Sequence, residues 1–141
     1  MTNASYSLYD SATLDVSLEQ PSGISKLCLS CHDGTVAIDS YGENTGTAFM
    51  IGSENVGTDL TNDHPISFTY DSNLATTDGE LNDPSVQVTA LGGTISHDLL
   101  FNGKVECASC HDVHNTASEG NSKLLVINNA GSALCITCHN K

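Results

Sequence analysis

Apolar positions in this chain come in short runs, and no stretch holds a helical or strand period for long. Residues 1–27 alternate polar with apolar positions and contain no apolar run of the length a signal peptide or membrane span needs. Pro21-Ser22-Gly23 followed by Ile24-Ser25-Lys26-Leu27-Cys28 predicts a helix running to Gly34, where glycine suits a left-handed stop. Val86-Gln87-Val88-Thr89-Ala90 alternates like a strand, Gly92-Gly93 marks a turn, and Lys104-Val105-Glu106-Cys107 is expected to return as its partner in a small β-hairpin. Ser132 is placed to cap a last short helix over Ala133–His139. The remainder reads as loop.

One pattern cuts across this weak periodicity. Cys28-Leu29-Ser30-Cys31-His32, Cys107-Ala108-Ser109-Cys110-His111 and Cys135-Ile136-Thr137-Cys138-His139 repeat a single spacing and use all 6 cysteines of the chain. Two thiols three residues apart can add to the two vinyl groups on one haem edge, while the adjoining imidazole turns under the ring to reach iron. The pattern therefore predicts three covalently attached haem c groups, held by Cys28, Cys31, Cys107, Cys110, Cys135 and Cys138, with His32, His111 and His139 as proximal ligands. Zinc also favours paired Cys-x-x-Cys but gives no reason for a histidine after each second cysteine. A dithiol redox site needs one pair in a strand-to-helix setting, and disulfides between motifs would leave the repeated histidine without a role.

Ligand counting carries the reading further. A haem iron that only passes electrons needs both axial positions filled, and the chain has 6 histidines. The three outside the motifs, His64, His97 and His114, match three distal positions. Methionine is the usual rival, but Met1 is terminal and Met50 lies in the apolar stretch Ala48-Phe49-Met50-Ile51, where packing is the simpler role. Pro65 biases His64 towards an extended backbone that holds its side chain outward. His114, three residues after His111, cannot wrap to the far side of the same porphyrin, so as a ligand it serves a different haem and brings two haems close. His97 is followed by Asp98, a candidate acceptor for its second ring nitrogen.

Composition agrees with a haem-built molecule. Aromatic residues are 5% of the chain, there is no Trp, and Gly numbers 12, so the polypeptide is short of core material. A haem hiding roughly 500 Å² of apolar surface contributes at most about 12 kcal/mol at ~25 cal/mol per Å². The expected fold is one haem-dominated domain over residues 1–141, mostly loop, with short α-helices at the CXXCH motifs, a small β-hairpin and a core formed by three c-type haems. Residues 33–106 between the first two motifs, which include His64 and His97, are read as a wrap returning distal ligands. A formal charge of −13 with 4 basic residues excludes nucleic acid as a partner. The same field favours ferric iron and, with bis-histidine ligation, predicts low potentials; it also suits cationic partners or divalent cations.

The stretches Gly23 to Ala37, Asp63-His64-Pro65-Ile66-Ser67-Phe68, Cys107-Ala108-Ser109-Cys110-His111-Asp112-Val113-His114 and Leu134 to His139 resemble the multihaem cytochromes c of the doubled CXXCH-motif family. The resemblance implies an electron carrier of the periplasm or cell exterior, with His32, His111 and His139 as proximal ligands and His64 and His114 in distal-ligand stretches; His97 matches less closely. Some relatives polymerise into filaments with a continuous haem stack, but those carry four or more haems per subunit, whereas this chain has three motifs. Because c-type haems are attached outside the bacterial cytoplasm in such families, the chain is expected to be a mature form whose export signal has been removed. Expected partners are redox proteins or extracellular acceptors, with a head-to-tail homopolymer or a discrete shuttle as the two forms of assembly. An enzyme, such as a multihaem reductase with one open iron, is disfavoured because no Cys-x-x-Cys-Lys variant appears and no iron is left vacant.

Overall fold

In the computed structural model, which describes residues 1–114 and 120–140, the chain divides into two compact units. The first comprises Met1–Ala12 and Leu18–Ser67, and the second Thr13–Ser17 with the described part of Phe68–Lys141.

In the first unit, α1 (Gly23–His32) begins after Ser22, whose extended backbone makes the N-cap, and closes two residues before the glycine that the sequence marks as its stop. Gly34 takes the left-handed φ of 71° and its N–H reaches the Cys31 carbonyl at 3.3 Å. α1 turns Ser25, Leu29 and Ser30 inward. Two-residue strands β1 (Ser7–Leu8) and β2 (Asp59–Leu60) pair in parallel, Ser7 with Asp59 and Leu8 with Leu60. This brings Tyr6 and Leu60 onto Leu29, with Ala4, Leu8 and Ile66 packed against them. Three buried apolar residues are a slight core, and a polar network backs it. The Tyr6 hydroxyl donates to Asp33 Oδ2 at 2.6 Å, Thr35 donates to Asp33 Oδ1 from its amide (2.8 Å) and its hydroxyl (2.7 Å), and the Thr2 amide donates to Ser30 Oγ at 3.0 Å. Burial, and then the bond to Asp33, pushes the Tyr6 hydroxyl up to about 12. Burial also works to raise the Asp33 carboxyl, but the bonds from Tyr6, Thr35 and Thr2 outweigh it and hold Asp33 below its ordinary value.

The second unit has a larger core of Tyr70, Ala75, Ile95, Leu99, Val105, Val126, Ile127 and Leu134. α2 (Ser72–Asp78) is capped by Asp71, whose side chain accepts from the Leu74 amide at 2.9 Å, and is stopped by Gly79 at φ 74°. α3 (Ile95–Asp98) starts at Thr94 and buries Ile95. Strand β3 (Phe68–Thr69) runs antiparallel to β4 (Lys104–Val105), pairing Phe68 with Val105 and Thr69 with Lys104. α4 (Cys107–Cys110) and α5 (Ala133–Cys138) carry the second and third motifs.

The predicted hairpin takes a different form. Lys104–Val105 is a strand, but its partner is Phe68–Thr69, and residues 86–90 form no strand. Asp83-Pro84-Ser85 curls the chain first: Asp83 Oδ1 accepts from the Ser85 amide (2.9 Å) and hydroxyl (2.7 Å), and the Asp83 carbonyl accepts from the Gln87 amide at 2.9 Å. The turn at Gly92-Gly93 does form, closed by Thr89 N–H to the Gly93 carbonyl at 2.9 Å and a single bridge between Val88 and Thr94. Val86 and Val88 are 70% and 67% exposed, so their alternation does not face a core. Asn102-Gly103, both at positive φ (53° and 75°), make the tight turn that feeds Lys104 back against Phe101. Ser132 stands at the N-cap of α5 as expected, yet in the left-handed region and without a side-chain capping bond; the Leu134 amide is taken by Asn129 Oδ1 at 3.0 Å instead.

Removing the hydroxyl in Tyr6→Phe strips a buried carboxylate of one donor. A bond to a charged group contributes about 1.5–3 kcal/mol, so hydrogen exchange of α1 amides that open with the first unit is expected to accelerate by about tenfold to a hundredfold, with α2 amides unchanged; equal protection in both proteins would refute this role.

Candidate haem attachment sites

The three motifs share a local construction. Each pair of cysteines lies within α1, α4 or α5, where a spacing of three residues puts both side chains on one helical face. His111 and His139 leave their helices at the C-cap with extended backbone (ψ 126° and 137°), whereas His32 is still helical and Asp33 caps α1. No disulfide joins any two of the six cysteines.

A segment of irregular chain is laid along each motif histidine. Along the first, the Val56 amide donates to the His32 carbonyl at 2.7 Å, and His32 Nδ1 bonds the Glu54 carbonyl at 2.7 Å. Along the second, the Val126 amide donates to the Cys110 carbonyl (2.9 Å), the Asp112 amide to the Leu124 carbonyl (2.8 Å), and His111 Nδ1 bonds the Lys123 carbonyl (2.9 Å). Lys123 and Leu124 adopt left-handed φ of 57° and 56° to present these carbonyls. Along the third, the Asn82 amide donates to the Cys138 carbonyl (2.8 Å), Leu81 bridges His139, and the Asn140 amide donates to the Glu80 carbonyl (3.0 Å). Asn82 also turns its Nδ2 to the Ile136 and Thr137 carbonyls at 3.3 and 3.0 Å, and the buried Tyr70 hydroxyl donates to the Asn82 and Cys138 carbonyls at 2.6 and 3.3 Å. Orphan carbonyls at the end of α5 are thus satisfied. Burial, with the charge of Cys138 next, pushes the Tyr70 hydroxyl well above its ordinary value.

A carbonyl oxygen can only accept, so Nδ1 of His32 and of His111 carries the proton and Nε2 is left with the lone pair that a metal takes. Two histidines outside the motifs also have an oxygen acceptor on Nδ1. His64 Nδ1 bonds the Pro65 carbonyl at 2.9 Å. His97 Nδ1 bonds Asp98 Oδ1 at 2.7 Å, with the His97 side chain 81% exposed and that of Asp98 8% exposed. Asp98 accepts in addition from the Thr89 hydroxyl and from the Gly93 amide at 2.8 Å. These bonds, that from His97 foremost, hold its carboxyl below the usual range. His64 follows Leu60, which packs on Leu29 between the cysteines of the first motif. His114 is exposed at the edge of the described chain, its amide donating to Asp112 Oδ1 at 3.0 Å. The first unit therefore holds one motif and His64, and the second holds two motifs with His97 and His114.

The donor set fits a covalently held haem. Cys110 and Cys138 pack against the second unit's core. Burial, joined by the charges of Cys107 and Cys135, raises the Cys110 thiol; burial with Cys110 and Cys135 pushes Cys138 up to about 11. These thiols are the reverse of the acidified thiolate that a dithiol redox site requires. Cys110 of the second motif and Cys138 of the third pack against the same core cluster. Exposed apolar side chains flank every motif: Leu27 and Val56 at the first, Val113 and Leu124 at the second, Ile136 inside the third, a surface that an apolar macrocycle covers. Among the described residues no group of three or more His, Cys, Asp and Glu converges as a metal site. No helix among them is long and apolar enough to cross a membrane.

Residue types alone marked every one of these cysteines and histidines. What they did not mark is the backbone: the Glu54, Lys123 and Pro65 carbonyls have no sequence signature, and Asn82 and Tyr70 lie far from the motif they hold. Residues 97–141 match the family described as the doubled CXXCH motif, which supports a multihaem c-type cytochrome family for this chain. No curated protein matches it. The CXXCH motifs indicate covalently bound haem c, and the match points to electron transfer.

Asn82→Ala deletes the side-chain donors to two carbonyls of α5, at about 1 kcal/mol per bond. Hydrogen exchange of the His139 and Asn140 amides in the haem-loaded protein is expected to rise about fivefold to thirtyfold while α1 amides keep their protection; unaltered exchange at both positions would remove Asn82 from the support of the third motif.

Proposed function

We propose that this multihaem c-type cytochrome is a trihaem electron carrier in which all three irons are held between two histidines. The observation that carries the reading is the fixed Nδ1 of two motif histidines, His32 and His111, and of two histidines outside the motifs, His64 and His97: each has an oxygen acceptor on Nδ1, the arrangement that orients an imidazole for metal through Nε2. The equal number of motifs and spare histidines within each unit supports it. His32, His111 and His139 act as proximal ligands, and His64, His97 and His114 as distal ones. When bound, the haems supply one-electron chemistry at potentials lowered by imidazole ligation and by the acidic chain. The protein's part is to close both faces of every iron, so that electrons pass and substrates do not bind.

In the second unit Cys110 of α4 and Cys138 of α5 pack on one core cluster, so two macrocycles attached there lie within short reach. His111 and His114, three residues apart, then serve different irons. We also infer that the bound haems form most of the apolar core, since the first unit buries only Tyr6, Leu29 and Leu60 in its cluster. The compartment in this reading is outside the cytoplasm, where c-type haems are attached.

A second reading has its own observation. The His97 ring is 81% exposed, and an imidazole so presented can be offered to a haem of a neighbouring copy. Repeated head to tail without closure, that contact builds a filament, and three haems per subunit then extend into a continuous path. The discrete shuttle is the form in which His97 closes a haem of its own chain.

Intact-mass measurement of the denatured mature protein is expected to find three covalent haems, and the paired change Cys107→Ala with Cys110→Ala to leave two. In the native protein all irons should be low-spin at rest, and the reduced form should not bind carbon monoxide rapidly; one readily liganded haem would instead favour a reductase.

Sedimentation and electron microscopy separate the two assemblies. The filament reading expects long polymers that His97→Ala reduces to monomers, and monomers at all concentrations in the unaltered protein would leave the shuttle.

A further inference from the structure

His32, His64, His97 and His111 each have a defined partner on Nδ1, and one partner differs in kind. His32, His64 and His111 face neutral backbone carbonyls, whereas His97 faces a carboxylate. That carboxylate is no chance surface neighbour. Asp98 is 8% exposed beside a His97 side chain that is 81% exposed, and its Oδ2 is held by the Gly93 amide at 2.8 Å and by the Thr89 hydroxyl. The Thr89 oxygen in turn accepts from the Leu91 amide at 3.0 Å, which fixes the direction of its hydroxyl. A Cβ at residue 93 would run into the Asp98 carboxylate, so the close approach depends on glycine there. A whole loop, residues 89–93, is folded round one oxygen while the other is left to His97.

We propose, resting on the reading of His97 as an axial ligand, that Asp98 is a positioning residue that lowers the reduction potential of the haem His97 closes. A full negative charge on Nδ1–H draws the proton towards oxygen and enriches Nε2 in electron density, more than a carbonyl does. A richer donor stabilises ferric over ferrous iron, so the potential falls. Thr89 and Gly93 moderate the effect, because each bond they give to Oδ2 withdraws charge from the carboxylate. Asp98 thus sets the haem at His97 apart from those whose ligands lean on carbonyls and gives the carrier a built-in inequality of potential, whether His97 serves its own chain or a neighbouring copy.

The test uses the haem-loaded protein in spectroelectrochemical titration, with low-temperature paramagnetic spectra of each iron. Asp98→Asn keeps the shape and removes the charge, and is expected to move one midpoint upward while the others stay. Thr89→Val removes a donor from Oδ2 and is expected to move the same midpoint downward, and Thr89→Ser, which keeps the hydroxyl, to restore it. Opposite signs are the signature, because general loosening of the loop would push both variants the same way. Shifts of equal sign, or no shift in either, while His97→Ala makes one iron high-spin, would overturn the role of Asp98 and leave His97 a ligand. If His97→Ala leaves every iron low-spin, the ligand reading of His97 fails and the proposal fails with it.

Discussion

A hydrogen bond on one imidazole nitrogen fixes the direction of the other, and much of the irregular chain of this protein runs to such contacts. A side chain with a free Nδ1 can rotate and can present either tautomer; one bonded to a fixed oxygen presents Nε2 in a single direction. His32 leans on residues 54–56, His111 on residues 123–126, and the backbone after Cys138 on residues 80–82. Segments that look like connections are therefore supports. This explains why a chain with short helices and two-residue strands keeps a defined path: its loops end on the histidines.

The same kind of contact sheds light on the acidic composition. With 17 acidic against 4 basic residues, ion pairs cannot be the main use of the carboxylates. Several close local turns instead. Asp33 takes the amide and hydroxyl of Thr35, Asp59 those of Thr61, and Asp83 those of Ser85. At Asp59 and Asp83 these bonds, the hydroxyl of residue i+2 foremost, hold the carboxyl below its ordinary value. A carboxylate that accepts from its own loop stiffens that loop without a helix or sheet. Asp98 belongs with these, and differs in spending its second oxygen on a histidine.

Apolar burial is divided unevenly. Among its described residues the second unit assembles eight buried apolar ones and brings Cys110 and Cys138 onto them, so two attachment helices share one support. The first unit has a cluster of three and depends on Tyr6, Asp33, Thr2 and Ser30 to hold α1 in place. Exposed Leu27, Val56, Val113, Leu124 and Ile136 lie at the motifs in both. Apolar surface left open beside two thiols and an imidazole is the complement of a flat macrocycle with one reactive edge.

Much of the chemistry was legible in residue types. The spacing of cysteines and histidines is covalent geometry, dictated by the distance between two thiols on a helical turn and by an adjacent ring, so no folding is needed to recognise it. Gly34 as a stop and Ser132 at a helix start were likewise local. α2 escaped, although Asp71 and Gly79 bracket it in the ordinary way, because its apolar residues do not repeat often enough to show a period. Residues 86–90 alternate without forming a strand because alternation reports a buried face only where a partner exists: after the Asp83-Pro84-Ser85 turn Val86 and Val88 are exposed, and Val105 pairs with Phe68 at the core. The carboxylate beside His97 was legible as its sequence neighbour, Asp98, whereas which carbonyl meets Nδ1 of His32 and of His111 was decided by tertiary structure alone. Those acceptors lie 22 residues from His32 and 12 from His111, and a peptide oxygen carries no mark of its partner until the chain has folded.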